Sequence, residues 1–170
     1  GVEWRVRDLR DDLRDKSYSF WGNVKNDLGL YNIEERAREI KQVCDSAGLE
    51  LCSLGTYLSC SDYENIRKVA RVAAEIGCPQ FRVGTAKYDA DRGYKVQFDE
   101  TVEHFKVVED IMKEYGVRAL IETHMKMITP SPSAAFRLVS HFDPTYIGVI
   151  LDPGNLVVEG YEDALMSIDI

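Results

Sequence analysis

The sequence lacks any apolar run long enough to cross a bilayer, and no charged and then apolar segment opens it. A transmembrane helix needs about 20 consecutive apolar residues, and a secretory signal needs a basic segment followed by an apolar one. Because both features are missing, we predict no membrane partner and expect the protein to be cytoplasmic.

Basic residues are also scarce. Lysine and arginine number 21 against 29 aspartates and glutamates, which leaves a net charge of −8. Proteins that bind nucleic acid neutralise phosphates with clustered lysine and arginine, and polybasic segments do the same at anionic membranes. The charge balance therefore argues against a nucleic-acid partner and against an anionic membrane surface.

The four cysteines show neither a CxxC pair nor the spacing of a zinc ribbon. They are Cys44, Cys52, Cys60 and Cys78. In a chain without a secretion signal, this pattern favours free and mostly buried thiols over a disulfide or a metal cluster.

What the chain does contain is a repeated order of strand, loop and helix. Its 170 residues, of which 45% are hydrophobic, suffice for one domain with a sizeable core. Short apolar segments predict five strands, at residues 2–6, 49–54, 80–83, 117–122 and 146–151. Helical patterns between them make the strands parallel, with right-handed crossovers. Such an α/β chain forms either a TIM barrel or an open flavodoxin-like sheet, and no glycine-rich phosphate loop supports a nucleotide-binding version of the sheet.

The helical segments carry explicit boundaries. Residues 32–35 and 61–64 resemble capping boxes, and Ser131 followed by Pro132 predicts another helix start. Glycines at positions 48, 77 and 116 predict helix ends. Each of the first three helices has an apolar face, formed by Ile33, Ala37, Ile40, Cys44 and Ala47, by Ile66, Val69, Ala70 and Ala73, and by Val102, Phe105, Val108 and Met112.

Two regions depart from this regular order. Residues 7–31 form a long connection that carries Tyr18, Phe20 and Trp21, and it is either a lid over a site or a surface excursion. At the chain ends, Gly1 abuts a strand and a helical pattern that begins at Tyr161 has no cap. Because five strands cannot close a barrel of eight, we expect a sequence truncated at both ends.

Two acidic residues close apolar strands. Glu122 ends the fourth predicted strand and Asp152 directly follows the fifth, at the edge where parallel α/β folds bind ligands. A carboxylate in such a place is costly unless it binds a cation or is hydrogen-bonded. Asp152 could instead cap the following turn, and Glu122 could pair with Arg82. Two successive strands ending in this way favour a divalent metal site.

The order and spacing of several motifs resemble one family. They are GVEWRV at 1–6, LGTY at 54–57, FRVG at 81–84, ALIETH at 119–124 and GVILDPGN at 148–155. Together they resemble the sugar phosphate isomerase/epimerase family of xylose isomerase-like TIM barrels, which includes ketose 3-epimerases, hydroxypyruvate isomerase and inosose dehydratase. The resemblance covers essentially the whole chain. It implies a (β/α)8 barrel, of which residues 1–170 form one partial domain containing about five consecutive βα units, strands two to six.

The resemblance also implies a metal site. The family holds its metal with a Glu, an Asp, a His and a second Glu on the last four strands, and Glu122 and Asp152 match the first two. The other two ligands would lie beyond Ile170, and we expect them to be omitted from this sequence rather than lost from the protein. Oxygen-rich ligands suggest Mn²⁺, with Mg²⁺, Co²⁺ or Zn²⁺ as alternatives.

Four further residues are candidates for contact with the substrate. Glu3, which shares a strand face with Arg5, and Arg82 could hydrogen-bond a polyol or phosphate, or could belong to an internal layer of salt bridges. His124 points the same way as Glu122 and could touch the substrate or support a neighbouring group. Asn155 stands where the ketose epimerases carry a histidine.

The activity that the resemblance implies is isomerisation or epimerisation of a sugar or sugar phosphate. Glu122 would be both a metal ligand and the catalytic residue that removes a proton next to a carbonyl, giving an enediolate. One alternative is a non-catalytic or truncated relative that binds a sugar-like ligand. Others are a DNA repair enzyme like endonuclease IV and a dehydratase of the inosose type. A homo-oligomer is left open.

Overall fold

A parallel five-stranded sheet organises the chain. The computed structural model describes residues 1–8, 11–13, 15–18 and 28–160. The strands are β1 (Val2–Arg5), β2 (Leu51–Gly55), β3 (Gln80–Arg82), β4 (Arg118–Glu122) and β5 (Ile147–Ile150). They are hydrogen-bonded in the order β1-β2-β3-β4-β5, and every neighbouring pair is parallel. The predicted parallel α/β arrangement is confirmed, with strand bounds that shift by at most two residues.

Helices connect the strands. They are α1 (Ile33–Ser46), α2 (Tyr63–Glu75), α3 (Tyr94–Tyr115) and α4 (Pro132–Val139), followed after β5 by the short turn α5 (Pro153–Asn155). A 3-10 turn covers Asp11–Leu13 and a π-helical turn covers Leu156–Gly160. Within the described ranges, no helix has the length and apolarity to cross a membrane. Phe20, Trp21 and the helical pattern from Tyr161 lie outside the described residues.

The helix starts follow the predictions only in part. Ser131 caps α4, and its hydroxyl accepts a hydrogen bond from the Ala134 backbone N–H at 3.3 Å, as expected. In the second helix the cap is Asp62 and not Ser61. The predicted capping box at the start of α1 is wrong, because the Asn32 side chain accepts from the Gly29 N–H at 2.9 Å and makes no cap hydrogen bond to the helix.

The core lies between the sheet and the helices. The predicted apolar faces of α1, α2 and α3 are buried, with the exception of Ala47, which is exposed at the C-cap of α1. Phe81 of β3 and Phe105 of α3 are fully buried in it. Because side chains alternate along a strand, Phe81 enters this core while its neighbour Arg82 points to the other face of the sheet.

All four cysteines are free, as predicted, and burial affects the chemistry of two of them. Cys60 and Cys78 are buried, and desolvation raises the pKa of each thiol to about 11, from an ordinary value of 9.0. Since the thiolate is the nucleophile, we expect iodoacetamide to alkylate both about 100-fold more slowly in the native protein than in urea. Peptide mass spectrometry over a time course measures this. Equal rates in the two conditions would contradict the burial.

Candidate active site

The carboxyl ends of β2, β3 and β4 open into a cavity of about 240 Å³. Its wall includes Tyr57 after β2, Arg82 of β3, Glu122 of β4 and the following His124. Ligands of parallel α/β folds bind at this edge of the sheet, because the strands and the loops after them converge there. A larger cavity of about 440 Å³ lies beside the start of α4, but no carboxylate lines it. We therefore place the candidate active site in the smaller cavity.

Arg82 and Glu122 form an ion pair in this cavity, between Nη1 and Oε2. Only 19% of the Arg82 side chain and 16% of the Glu122 side chain are exposed. Arg82 is fixed further by a 2.7 Å hydrogen bond from Nε to the Thr56 carbonyl, and its guanidinium carbon lies 4.5 Å from the centre of the Tyr57 ring. The pairing with Arg82, one of the two roles considered for Glu122, is therefore present.

Asp152 caps the turn that follows β5. Its Oδ1 accepts hydrogen bonds from the backbone N–H groups of Gly154 at 2.8 Å and Asn155 at 3.1 Å. Its own backbone N–H donates to the Thr123 hydroxyl at 3.1 Å, which ties the turn to β4. The capping role considered for Asp152 is therefore also present, and it leaves the second carboxylate oxygen, Oδ2, for another contact.

The side chain of Asn155 joins the two carboxylates. Its Nδ2 lies 3.0 Å from Asp152 Oδ2, 3.4 Å from Glu122 Oε1 and 3.1 Å from the Thr123 carbonyl oxygen. Asn155 is buried, with 9% of its surface exposed. One oxygen of each acid thus has a structural partner, while the other faces a common nitrogen. The predicted meeting of Glu122 and Asp152 at one edge of the sheet is what the structure shows.

The oxygen atoms around Nδ2 have the chemistry of a hard-cation site. Two carboxylates and a backbone carbonyl are donors that Mg²⁺ and Mn²⁺ accept. These ligands are few. Within the described residues, no group of three or more His, Cys, Asp or Glu side chains could hold a metal. Glu122 and Asp152 are therefore the right type of ligand for a divalent cation, but they supply only part of a coordination shell.

The remaining predicted residues divide between the cavity and its surroundings. His124 lines the cavity, and its Nδ1 is 2.9 Å from the Met125 carbonyl oxygen. Glu3 is exposed on β1, and its carboxylate lies against Gly55, where an added Cβ would be 2.8 Å from Oε1. Neither Glu3 nor Asn155 lines this cavity.

Sequence reasoning missed Lys87, Thr85 and Tyr57 as parts of the cavity wall. Each follows the end of β2 or β3 within a few residues, so position alone could have indicated them. Lys87 is exposed and brings a positive charge to the mouth of the cavity. A cation there, beside a paired Arg82 and Glu122, makes the cavity suitable for a small polar or anionic ligand.

A family match agrees with this architecture. The family described as xylose isomerase-like TIM barrel matches residues 17–169. The chain belongs to this family. The resemblance stated from the motifs and the predicted TIM-barrel fold are both confirmed, and the flavodoxin-like alternative is wrong.

Several solved structures share the fold of this chain at low sequence identity. The 3-keto-D-glucoside 4-epimerase of E. coli superposes with a TM-score of 0.69 at 15% identity, over 82% of this chain and 60% of that one. D-psicose 3-epimerase superposes with a TM-score of 0.64 at 13% identity, over 79% of this chain and 55% of that one. A probable 3-DHS dehydratase of Bacillus anthracis superposes with a TM-score of 0.60 at 17% identity, over 72% of this chain and 49% of that one.

These similarities show the fold alone, and the chain spans 49% to 60% of the length of these three proteins. No curated protein is significantly similar to the chain in sequence. Several of the structural neighbours are themselves sugar epimerases.

Proposed function

We propose that the chain belongs to a metal-dependent sugar or sugar-phosphate isomerase or epimerase, which acts by removing a proton next to a carbonyl. The observation that carries the proposal is the convergence of Glu122 and Asp152 beside a cavity at the carboxyl edge of the sheet. The epimerases among the structural neighbours support the same reaction class.

The size of the cavity favours a small substrate. Pockets for drug-sized ligands measure about 300–1,000 Å³, and this cavity measures about 240 Å³. Its wall carries several polar side chains, of which Arg82, Lys87 and His124 can donate hydrogen bonds to a sugar or its phosphate. A single monosaccharide fits this description better than a polymer does.

Glu122 is the residue that we assign to proton transfer. Arg82 holds its Oε2, so the carboxylate keeps one orientation at the cavity wall and its other oxygen is directed away from the ion pair. A positioned carboxylate beside a carbonyl substrate can remove the proton from the neighbouring carbon. An epimerisation also needs a second acid on the opposite face of that carbon to return the proton, and no described residue is assigned to that role.

Glu122 and Asp152 would hold the metal, together with ligands that the described residues do not supply. An ion held there, with Mn²⁺ preferred and Mg²⁺, Co²⁺ or Zn²⁺ as alternatives, would supply Lewis-acid polarisation of the substrate carbonyl. The oxygen donors and the converging geometry support this assignment.

A dehydratase is a second candidate, because a probable 3-DHS dehydratase shares the fold. It would use the same proton removal and then expel a hydroxyl group. A non-catalytic sugar-binding relative is a third candidate, since both carboxylates already have structural partners in Arg82 and the turn after β5. The described residues also include no third acidic or histidine ligand for a metal.

One experiment separates these candidates. The protein is incubated in D₂O with Mn²⁺ and with each of several ketoses, 3-keto-glucosides and ketose phosphates, and is followed by proton NMR. We expect deuterium to enter the carbon next to the carbonyl, and EDTA to stop this exchange. A new carbon–carbon double bond would indicate the dehydratase. Ligand binding without any exchange would leave the sugar-binding relative.

A further inference from the structure

The amide of Asn155 lies where two carboxylates would otherwise face each other. Its Nδ2 carries two hydrogens and contacts one oxygen from each acid, Asp152 Oδ2 and Glu122 Oε1. A third contact, to the Thr123 carbonyl, holds the amide at this point from the backbone of the neighbouring strand end. Because like charges at short range disfavour each other, a donor between them stabilises the site when no cation is bound.

A divalent cation bound by the same two oxygens would need the same space. Mg²⁺ and Mn²⁺ lie about 2.0–2.2 Å from carboxylate oxygens, which is closer than any hydrogen-bonded nitrogen comes. An amide nitrogen in contact with both of these oxygens cannot remain there beside the ion. The cation and the amide therefore exclude each other.

Neither carboxylate depends on Asn155 for its position. Arg82 holds Glu122 through Oε2, and the backbone N–H groups of the turn hold Asp152 through Oδ1. Removing the amide group would therefore free the two facing oxygens while leaving both acids in place. Removing the amide would not separate the Glu122 and Asp152 carboxylates.

We propose that Asn155 is an internal competitor of the metal, which holds the facing oxygens of Glu122 and Asp152 in the cation-free protein and gives them up when a divalent cation binds. The inference rests on the proposed metal dependence. It goes beyond that dependence because it assigns the control of metal affinity to a residue that does not ligate the metal.

The test is a titration with Mn²⁺ alone, measured by calorimetry and by the electron paramagnetic resonance of free Mn²⁺. We expect Asn155→Ala to bind Mn²⁺ about tenfold more tightly than the wild type, because a hydrogen bond to each charged group no longer competes. Asn155→Ser, with a shorter side chain that still hydrogen-bonds, should fall between them. Circular dichroism confirms that each variant is folded.

Thermal unfolding gives a second readout that a purely structural role would not reproduce. Without Mn²⁺, Asn155→Ala should melt at a lower temperature than the wild type. Saturating Mn²⁺ should close this difference, because the wild-type amide is then displaced as well. If Asn155→Ala still melts at a lower temperature than the wild type at saturating Mn²⁺, the inference is overturned.

Asn65→Ala is the matched control. Asn65 Nδ2 lies 2.9 Å from Asp62 Oδ2, the same Asp–Asn spacing at a helix start, and this amide contacts no other carboxylate of the described residues. Its loss of stability should be the same with and without Mn²⁺.

Two other outcomes distinguish the proposals. Weaker Mn²⁺ binding by Asn155→Ala would make Asn155 a ligand or a support for the acids and would overturn the inference alone. If neither the wild type nor Asn155→Ala binds Mn²⁺, the proposed metal dependence fails together with the inference.

Discussion

Replacing Glu122 with glutamine is expected to lower the rate of deuterium exchange next to the substrate carbonyl by about 1,000-fold. A positioned acid or base contributes about 10²–10⁴-fold to a proton transfer, and glutamine cannot take the proton. The amide also removes one charged oxygen from the proposed metal site. The fold should be retained, because the glutamine oxygen still accepts a hydrogen bond from Arg82 at the place where Glu122 Oε2 does now.

The exchange rate is measured by proton NMR in D₂O on the substrate that the wild type turns over. Glu75→Gln serves as the control, since Glu75 lies on α2 in an exposed ion pair with Arg38, outside the cavity wall. It should exchange at the wild-type rate. A Glu122→Gln protein within tenfold of the wild type would exclude Glu122 as the base.

Much of the fold follows from periodicity, because burial alternates differently in strands and helices. The apolar segment at 117–122 and the stripe from Val102 to Met112 each predicted an element that the structure contains. Helix starts were harder to predict, since a polar side chain near a helix has several backbone donors within reach. Asn32 shows this: its side chain accepts from the preceding turn at Gly29 instead of the first turn of α1.

The place of the candidate site was predictable for a topological reason. Carboxyl ends of parallel strands meet at one edge of the sheet, so Glu122 and Asp152 had to come close together. The sequence indicated Arg82 and the following turn as partners of the two acids, but it did not decide between these structural contacts and a shared site. The structure shows that each acid can make a structural contact and also belong to a shared site, since a carboxylate has two oxygens. One oxygen of each acid binds Arg82 or the turn, and the other faces Asn155.

Arg82→Met is expected to lower the free energy of unfolding by about 2–3 kcal/mol, because it leaves Glu122 charged and largely buried without its partner. Methionine keeps most of the aliphatic volume, so the loss reports on the guanidinium. It includes the hydrogen bond to the Thr56 carbonyl and the contact with the Tyr57 ring. Urea unfolding followed by circular dichroism at neutral pH measures the change. Arg71→Met, which breaks the exposed pair with Glu34, should have a much smaller effect.

The double variant Arg82→Met with Glu122→Gln decides how the loss arises. If the cost of Arg82→Met is that of an unpaired carboxylate, neutralising Glu122 should recover part of it, and the double variant should be more stable than Arg82→Met alone. If the cost comes from the contacts with Thr56 and Tyr57, the double variant should be no more stable than the single one. The first result would mean that Arg82 compensates the charge of Glu122 when no cation is present. A metal bound at Glu122 should then reduce the stability lost on replacing Arg82, which repeating both unfolding curves with saturating Mn²⁺ measures directly.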